Sequence, residues 1–385
     1  MDAESYEPPS FDLRVVDVVE ETADAHSITF EVPAEHAAAF AYRPGQFLTV
    51  AVPSDRTGVA ARCYSLCSSP GGEPGEPGEP GETLTITVKR TADGYASNWI
   101  CDHLRDGDTL RVLPPSGIFT PSSLDNDLLL FAGGSGITPV MSITRTALAR
   151  ATGRVVLFYA NRDERSVIFA RELARLAAEH PDRLLVVHWL ESVQGLPTQE
   201  QVRAFAAAYT SYEAFVCGPA PFMKLTVAAL KELEFPRARR HQEKFVSLGG
   251  NPFGDLHDQE TAEHEIHDAE SDPDDPDESG PDESGESREP EPAGPVKLEV
   301  ELDGEEYTFD DWAPGTKLLE HLEAKGVKAP YSCREGECSA CALRLVEGEV
   351  RMLHNDVLEE EDLEEGIRLG CQSVPVTDHV KVTYH

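Results

Sequence analysis

Residues 254 to 294 cannot belong to any hydrophobic core. They hold 17 Asp or Glu against a single Arg, are rich in Pro, Ser and Gly, and contain no Phe, Tyr or Trp. Such a composition buries too little surface to offset its ordering entropy, so the segment is expected to be a mobile acidic linker. It divides a chain of 385 residues, long enough for two or three domains, into a larger N-terminal part and a smaller part from 295 to 385. The net charge of -37 follows the same division: -16 lies in the linker, -12 in residues 295 to 385 and only -9 in residues 1 to 253. Nucleic acid and anionic membrane surfaces are poor partners for this field, whereas a protein with a basic docking face would be steered towards it. Solubility or adaptation to salt would produce the same charge.

The N-terminal part changes pattern near residue 124. Short β-branched runs (LRVVDVVEET, HSITFEV, QFLTVAV, TLTITVKR, TLRVLPP) fill residues 13 to 115 between Gly, Pro and Asp turns, which suggests an antiparallel barrel or sandwich. A Gly-Glu-Pro repeat, residues 71 to 82, interrupts them and reads as a solvated hairpin insertion. From residue 127, buried runs (DLLLFAG, RVVLFYAN, RLLVVHWL, EAFVCGP) alternate with helical stretches such as TPVMSITRTALAR and VIFARELARLAAEH. That alternation implies a parallel α/β sheet with its ligand at the carboxyl ends of the strands. After the linker, VKLEVELDGEEYTFD reads as a hairpin turning at Asp303 and Gly304, followed by a helix around KLLEHLEAKG.

No apolar run approaches the roughly 18 residues of a membrane helix, and the acidic start MDAESYEPPS lacks signal-peptide character, so the expected location is the cytoplasm. Cytosolic thiols stay reduced, which disfavours reading the eight cysteines as disulfides. Four of them, Cys333, Cys338, Cys341 and Cys371, follow the spacing C-x4-C-x2-C, 29 residues, C. Three clustered thiolates and one distant closing thiolate match the plant-type 2Fe-2S pattern. Structural zinc, which more often uses two separated C-x2-C pairs, is the alternative. Gly336 and the small Ser339 and Ala340 would let backbone amides turn towards the sulfurs.

Three further motifs carry chemistry. RCYSLCSSP (62 to 70) offers a guanidinium fork at Arg62 for a phosphate, a stacking face at Tyr64 and a hydroxyl at Ser65. FAGGSGITPV (131 to 140) follows a buried strand and opens a helix: Gly133, Gly134 and Gly136 permit close approach to a pyrophosphate, with Ser135 and Thr138 as donors. VCGPAPFM (216 to 223) places Cys217, Gly218 and Pro219 after another strand.

Taken together, and in this order, these motifs resemble the ferredoxin-NADP reductase superfamily, with residues 295 to 385 similar to a plant-type ferredoxin. The resemblance implies an antiparallel β-barrel flavin domain (11 to 123), an α/β parallel-sheet nicotinamide-nucleotide domain (124 to 253) and an α+β β-grasp 2Fe-2S ferredoxin domain (295 to 385), with residues 1 to 10 as a tail. It implies that Arg62, Tyr64 and Ser65 hold the flavin, Ser65 near its reactive N5. GYASNW (94 to 99) would supply a second phosphate contact through Ala96 and Ser97, and PPSGIF (114 to 119) the turn ending the barrel. YANRDERSVIF (159 to 169) would meet the adenosine ribose. There Arg162 and Arg165 could pair with the 2'-phosphate of NADPH, while the NR-x-x-x-S stretch that ends at Ser166 suits an NADH site as well, with NADH preferred. Cys217 would lie beside the nicotinamide, Glu243 near flavin and nicotinamide, and Phe245 would cover the ring or the adenine. The segment beyond the CGP helix favours FAD over FMN.

The domain order is that of reductase components of bacterial oxygenases, and YSCREGECSACA and EKFVSLGGNPF are most similar to the ketosteroid-hydroxylase type, with the phenylacetyl-CoA epoxidase type beside it. The implied activity is electron transfer from NAD(P)H through FAD and a 2Fe-2S cluster, with Ser65, Cys217 and Glu243 shaping hydride transfer. The implied partner is a terminal oxygenase, Rieske-type or another iron enzyme. Two alternatives stand beside it: a general NAD(P)H diaphorase, and a non-enzymatic zinc-bearing interaction protein.

Overall fold

The computed structural model describes residues 10–54, 58–71, 83–92, 94–245, 252–253, 292, 294–302 and 304–384. The N-terminal tail, the Gly-Glu-Pro repeat and the acidic segment lie almost wholly outside the described residues. One compact unit spans Pro8–Pro53 and Ala60–Ser247; a second includes Leu248–His385.

The first unit begins with β1 (Phe11–Thr22), β2 (Ala25–Glu31), β3 (Phe47–Ser54), β4 (Gly58–Ser65), β5 (Thr83–Lys89) and β6 (Thr109–Val112), joined in the order β4-β3-β6-β1-β2-β5. Alternation along these strands puts Leu13, Val15, Ile28, Phe30, Ile86 and Val88 into one core. Helix α1 (Tyr95–His103) closes one side of it by burying Ala96, Ile100 and Cys101. Just past β4, Leu66 bridges Ile86 of β5, and the Cys67 amide donates to the Thr85 carbonyl at 2.9 Å. The chain leaving one edge strand therefore meets the opposite edge strand.

The same unit continues into five parallel strands: β7 (Leu128–Gly133), β8 (Val155–Asn161), β9 (Leu184–Leu190), β10 (Glu213–Cys217) and β11 (Arg240–Glu243), in the order β11-β10-β7-β8-β9. The apolar runs of β7 and β8 are buried on both faces, as a central parallel sheet requires. Helices α2 (Ile137–Arg150) and α3 (Ala170–Glu179) pack on one face. Beyond the short α4 (Glu191–Gln194), helices α5 (Gln199–Ala206) and α6 (Ala220–Glu232) cover the other. The Thr198–Gln201 capping box starts α5. The periodic run from Val167 gives a shorter helix than its pattern suggests, because Phe169 takes a left-handed φ of 60° and α3 starts only after it. Strand order reverses between β7 and β10, which puts the ligand crevice of this sheet at their carboxyl ends.

The second unit contains β12 (Val296–Leu302), β13 (Glu305–Trp312), α7 (Leu318–Ala324), β14 (Ala342–Glu347), β15 (Val350–Met352), α8 (Glu360–Glu364), β16 (Ile367–Leu369), β17 (Ser373–Pro375) and β18 (His379–Tyr384). Its main sheet runs β13-β12-β18-β14-β16, with β12 and β18 parallel, while β15 pairs with β17. The β12–β13 hairpin turns where expected, Leu302 pairing with Glu305 and Gly304 at φ 80°. Leu318, Leu319 and Leu322 of α7 complete a core with Trp312, Val380 and Val382. No helix among the described residues is long and apolar enough to cross a membrane.

Candidate functional site

The flavin-type motif lies on β4 and its exit. Alternation puts Arg62 and Tyr64 on one face of the strand, both half-buried, and Ser65 ends it with 4% exposure. Arg62 donates to the Ala61 carbonyl at 2.7 Å. Burial pushes the Tyr64 hydroxyl well above its usual range, so it remains a neutral ring. At the start of α1, Ala96 turns its methyl into the core, and the Ser97 hydroxyl accepts from the Thr91 amide at 3.0 Å. The Asn98 side chain donates to the Gly94 carbonyl at 2.7 Å and pins the same turn.

The glycine loop after β7 forms a short 3-10 turn, Gly134–Gly136, that leads into α2. Gly134 takes a left-handed φ of 51°, and it and Ser135 are partly open. Gly133 and Gly136 are also required by packing. A Cβ on Gly136 would lie 2.2 Å from the Cys217 carbonyl oxygen, and one on Gly133 would lie 2.8 Å from Pro219. The two loops of the protein therefore approach closely here, a demand the sequence does not distinguish from approach to a ligand. The Thr138 hydroxyl donates to the Ser135 carbonyl at 3.1 Å and shapes the turn.

Helix α2 ties this loop to the flavin-type motif. Ser142 donates to the Ser68 carbonyl at 2.7 Å, Arg145 to the Cys67 carbonyl at 2.9 Å, and Thr146 shares a 3.0 Å hydrogen bond with Ser69. Three consecutive residues after β4 are thus held by one helix whose first turn is the glycine loop. Sequence reading did not single out these contacts, because each residue is an ordinary polar group on a helical face.

Cys217 ends β10, fully buried, and pairs in register with Ala132 on one side and Glu243 on the other. Burial pushes the Glu243 carboxyl up to about 8. Burial, then the neighbouring Glu243 charge, pushes the Cys217 thiol well above its usual range. Both groups are therefore mainly neutral at pH 7. Phe245, two residues on, is half-exposed. Gly218 (φ 156°) backs onto Gly133, where a Cβ would lie 2.9 Å from the Gly133 backbone.

Strand β11 is anchored at its other end by Glu213. This buried carboxylate accepts from Asn126 at 2.9 Å and from the Ser122 amide and hydroxyl at 3.1 Å each, and shares a 2.8 Å bond with His241 Nε2. Burial alone would raise it, but His241, Asn126 and Ser122 outweigh that and hold it down at about 2. His241 also stacks on Phe215 at 4.4 Å.

At the end of β8, Ser166 closes a capping box with Asp163 and is buried. Arg162 extends outward, with Nη2 3.2 Å from Asp24 Oδ2. Lys89, which the sequence reading did not single out, places its ammonium 3.6 Å from the same oxygen and 4.0 Å from where a Cβ on Gly134 would stand. It is a candidate cation beside the glycine loop.

In the second unit Cys333, Cys338, Cys341 and Cys371 are all buried and converge, and none of the eight cysteines forms a disulfide. The Cys338 and Cys333 sulfurs are 3.2 Å apart, and Cys371 contacts both Cys333 and Cys341. The thiols thus form an open chain, 338–333–371–341. Among the described residues no group of three or more His, Cys, Asp or Glu is arranged around a single metal ion. Four converging thiols supply the donor number that a two-iron centre or a tetrahedral ion needs. Hydrogen bonds from the other thiols pull Cys333 far down and push Cys371 far up, since four sulfurs this close cannot all ionise without a countercharge. The Glu335 amide donates to Cys333 Sγ at 3.4 Å and the Cys333 amide to Cys338 Sγ at 3.5 Å, so the loop does aim backbone donors at sulfur. Gly336 (φ 80°) is required there, because a Cβ would lie 2.7 Å from the His354 carbonyl.

Comparison with known proteins agrees with this geometry. Residues 300–376 match the 2Fe-2S iron-sulfur cluster binding domain, and residues 130–228 match the oxidoreductase NAD-binding domain. The chain is 52% identical over 372 residues, 97% of its length and 96% of the relative's, to the ferredoxin reductase component of 3-ketosteroid-9-alpha-monooxygenase from Rhodococcus rhodochrous. It is 30% identical to a component of the 1,2-phenylacetyl-CoA epoxidase of Escherichia coli, with 97% of each chain covered. Phthalate dioxygenase reductase, described as a modular structure for electron transfer from pyridine nucleotides to [2Fe-2S], shares the fold with a TM-score of 0.54 at 21% identity, covering 97% of this chain and 98% of that one. With two domain models in the expected order and full-length similarity to these relatives, the chain belongs to the family of ferredoxin reductase components of oxygenase systems.

Proposed function

We propose that this reductase component takes hydride from NADH at an FAD and delivers electrons through a 2Fe-2S centre to a terminal oxygenase, with a steroid or aromatic-compound monooxygenase of Rieske type as the acceptor. The observation that carries the reading is the bond set from α2 to Cys67–Ser69, which ties the nucleotide loop to the flavin motif. When bound, the flavin accepts two electrons as hydride, and the iron-sulfur centre receives them one at a time.

The chain's own residues orient the reactants. Arg62 and the amides around Ala96 and Ser97 hold the flavin phosphates, Tyr64 lies against the ring, and Ser65 donates towards it. The open backbone at Gly134 and Ser135, with Lys89 beside it, takes the pyrophosphate. Arg162 meets the ribose, with Ser166 fixing its loop. Cys217 and Glu243, both neutral near pH 7, keep unbalanced charge away from the nicotinamide, and Phe245 covers the ring edge. The bridge between Leu66 and Ile86 supports closure of the flavin sheet into a barrel, and the β12–β18 sheet crossed by α7 supports a β-grasp ferredoxin domain. Cys333, Cys338, Cys341 and Cys371 ligate the cluster. The acidity of the ferredoxin part suits an acceptor with a basic docking face.

An anaerobic NADH titration followed by absorption tests this. Flavin and iron-sulfur bands that bleach in sequence are expected; a purified protein with neither band, or bands inert to NADH, would overturn the reading.

A further inference from the structure

We propose that Asp24, supplied by the flavin sheet, sets coenzyme choice in the neighbouring nucleotide sheet, favouring a ribose with a free 2'-hydroxyl over one carrying a 2'-phosphate. The inference rests on the reading above that Arg162 meets the ribose. Asp24 sits in the tight turn between β1 and β2, where the Thr22 hydroxyl donates to Oδ1 at 2.8 Å. Its other oxygen faces two cations from different elements, Lys89 Nζ at 3.6 Å and Arg162 Nη2 at 3.2 Å. Lys89 stands over Gly134 at the end of β7, and Arg162 follows the end of β8. The carboxylate therefore spans the stretch between these two strand ends, the side of the switch point that an adenosine ribose must occupy in a sheet of this order.

From sequence, an arginine after the second strand of such a sheet leaves the choice between a 2'-phosphate and a free 2'-hydroxyl open. Here the guanidinium already has a carboxylate, and its side chain is 68% exposed, so the pair itself is held only weakly. Its strength is not what decides. A 2'-phosphate could engage Arg162 only with the Asp24 charge a few ångströms away, whether or not the pair opens, and like charges at that separation repel. A 2'-hydroxyl instead can donate to Asp24 and leaves both ion pairs in place. The flavin sheet thus contributes the negative charge that the nucleotide sheet's own loop, NRDERS, does not direct at Arg162.

The test is Asp24→Asn in the full-length holoprotein, which keeps the size and hydrogen-bonding capacity of the residue. The ratio of NADPH to NADH kcat/KM, measured with ferricyanide as acceptor, and the ratio of NAD+ to NADP+ Kd, measured by calorimetry, should both shift by about tenfold towards the phosphorylated coenzyme. Asp24→Glu should leave both ratios near those of the wild type, and adding Arg162→Ala to Asp24→Asn should cancel the gain. Unchanged ratios in Asp24→Asn, with normal flavin content and melting temperature, would overturn the proposal. If Asp24→Asn lost its flavin, Asp24→Ser would be read in its place by the same ratios. Arg162→Ala alone separates the two layers of the argument: weakened NADP+ binding beside an unmoved Asp24→Asn ratio overturns only the role of Asp24. No change in either Kd overturns the placement of Arg162 and the proposal together, while NADH-driven cluster reduction would still stand.

Discussion

Gly136 rests against the carbonyl of Cys217: a Cβ at position 136 would fall 2.2 Å from that oxygen and 2.6 Å from the Gly218 amide. The obstructing atoms are backbone, so relief requires one of the two loops at the carboxyl ends of β7 and β10 to move. Gly136→Ala should lower stability by about 1 to 3 kcal/mol. It should also slow flavin reduction by NADH while leaving flavin content normal. Stopped-flow reduction and a thermal melt check this; wild-type values in both would mean the seam is soft.

The clamp from α2 predicts a different signature. Arg145→Ala removes the donor to the Cys67 carbonyl and leaves that end of the flavin loop less restrained. Because Arg145 is a positioning residue, the limiting rate of hydride transfer should fall with little change in NADH affinity. An equal fall in affinity and rate, or none, would argue that the helix only packs.

The motifs were legible because each needs particular residue types at fixed spacing: a forked cation, glycines at a strand-helix turn, thiols at C-x4-C-x2-C. What those motifs do locally was less legible. Gly133 and Gly136 look alike whether they admit a pyrophosphate or a neighbouring loop. Strand β11 has no apolar alternation to announce it, since RHQE is polar, and it depends on parallel pairing with β10 and on the His241–Glu213 bond. Asp24 and Arg162 are 138 residues apart, and only the docking of two sheets brings them together.

Serine replacements should divide the electron path. With Cys333, Cys338, Cys341 or Cys371 changed to Ser, the iron-sulfur absorption should be lost or strongly altered, and reduction of one-electron protein acceptors should stop. Flavin reduction by NADH should continue, because the residues proposed to hold the flavin lie in the other unit. A variant that keeps wild-type iron content, absorption and acceptor reduction would remove that cysteine from the ligand set.

Glu213 offers a test of the anchor beneath β11. Its folded-state pKa of about 2 lies below the ordinary 4.5, so its contribution is full above the ordinary value and is lost as pH falls towards the folded one. Glu213→Gln should cost about 2 to 3 kcal/mol at neutral pH through weakened bonds to His241, Asn126 and Ser122. The gap in melting temperature between variant and wild type should narrow on acidification. A gap that is constant across that range would show that the charge is not what holds the anchor.

Glu243 carries the opposite sign. Its carboxyl keeps its proton in the folded chain up to about 8, against an ordinary value of 4.5. In that window the native state binds more protons than the unfolded state, so stability falls as pH rises. The loss is complete once pH passes the folded value, where the charge must be held beside buried Cys217. Glu243→Gln removes the titration, so wild type and variant should melt alike near pH 4.5, diverge as pH rises with the variant the more stable, and run parallel above about pH 8. The same proton should enter the rate of flavin reduction. With Glu243 beside the nicotinamide as proposed, wild type should show an inflection near pH 8 that the variant lacks, because only the ionised carboxylate would alter the field there. A stability difference without the kinetic inflection would place Glu243 in the packing of β11 and outside the hydride-transfer site, and an inflection that survives in the variant would assign the titration to another group.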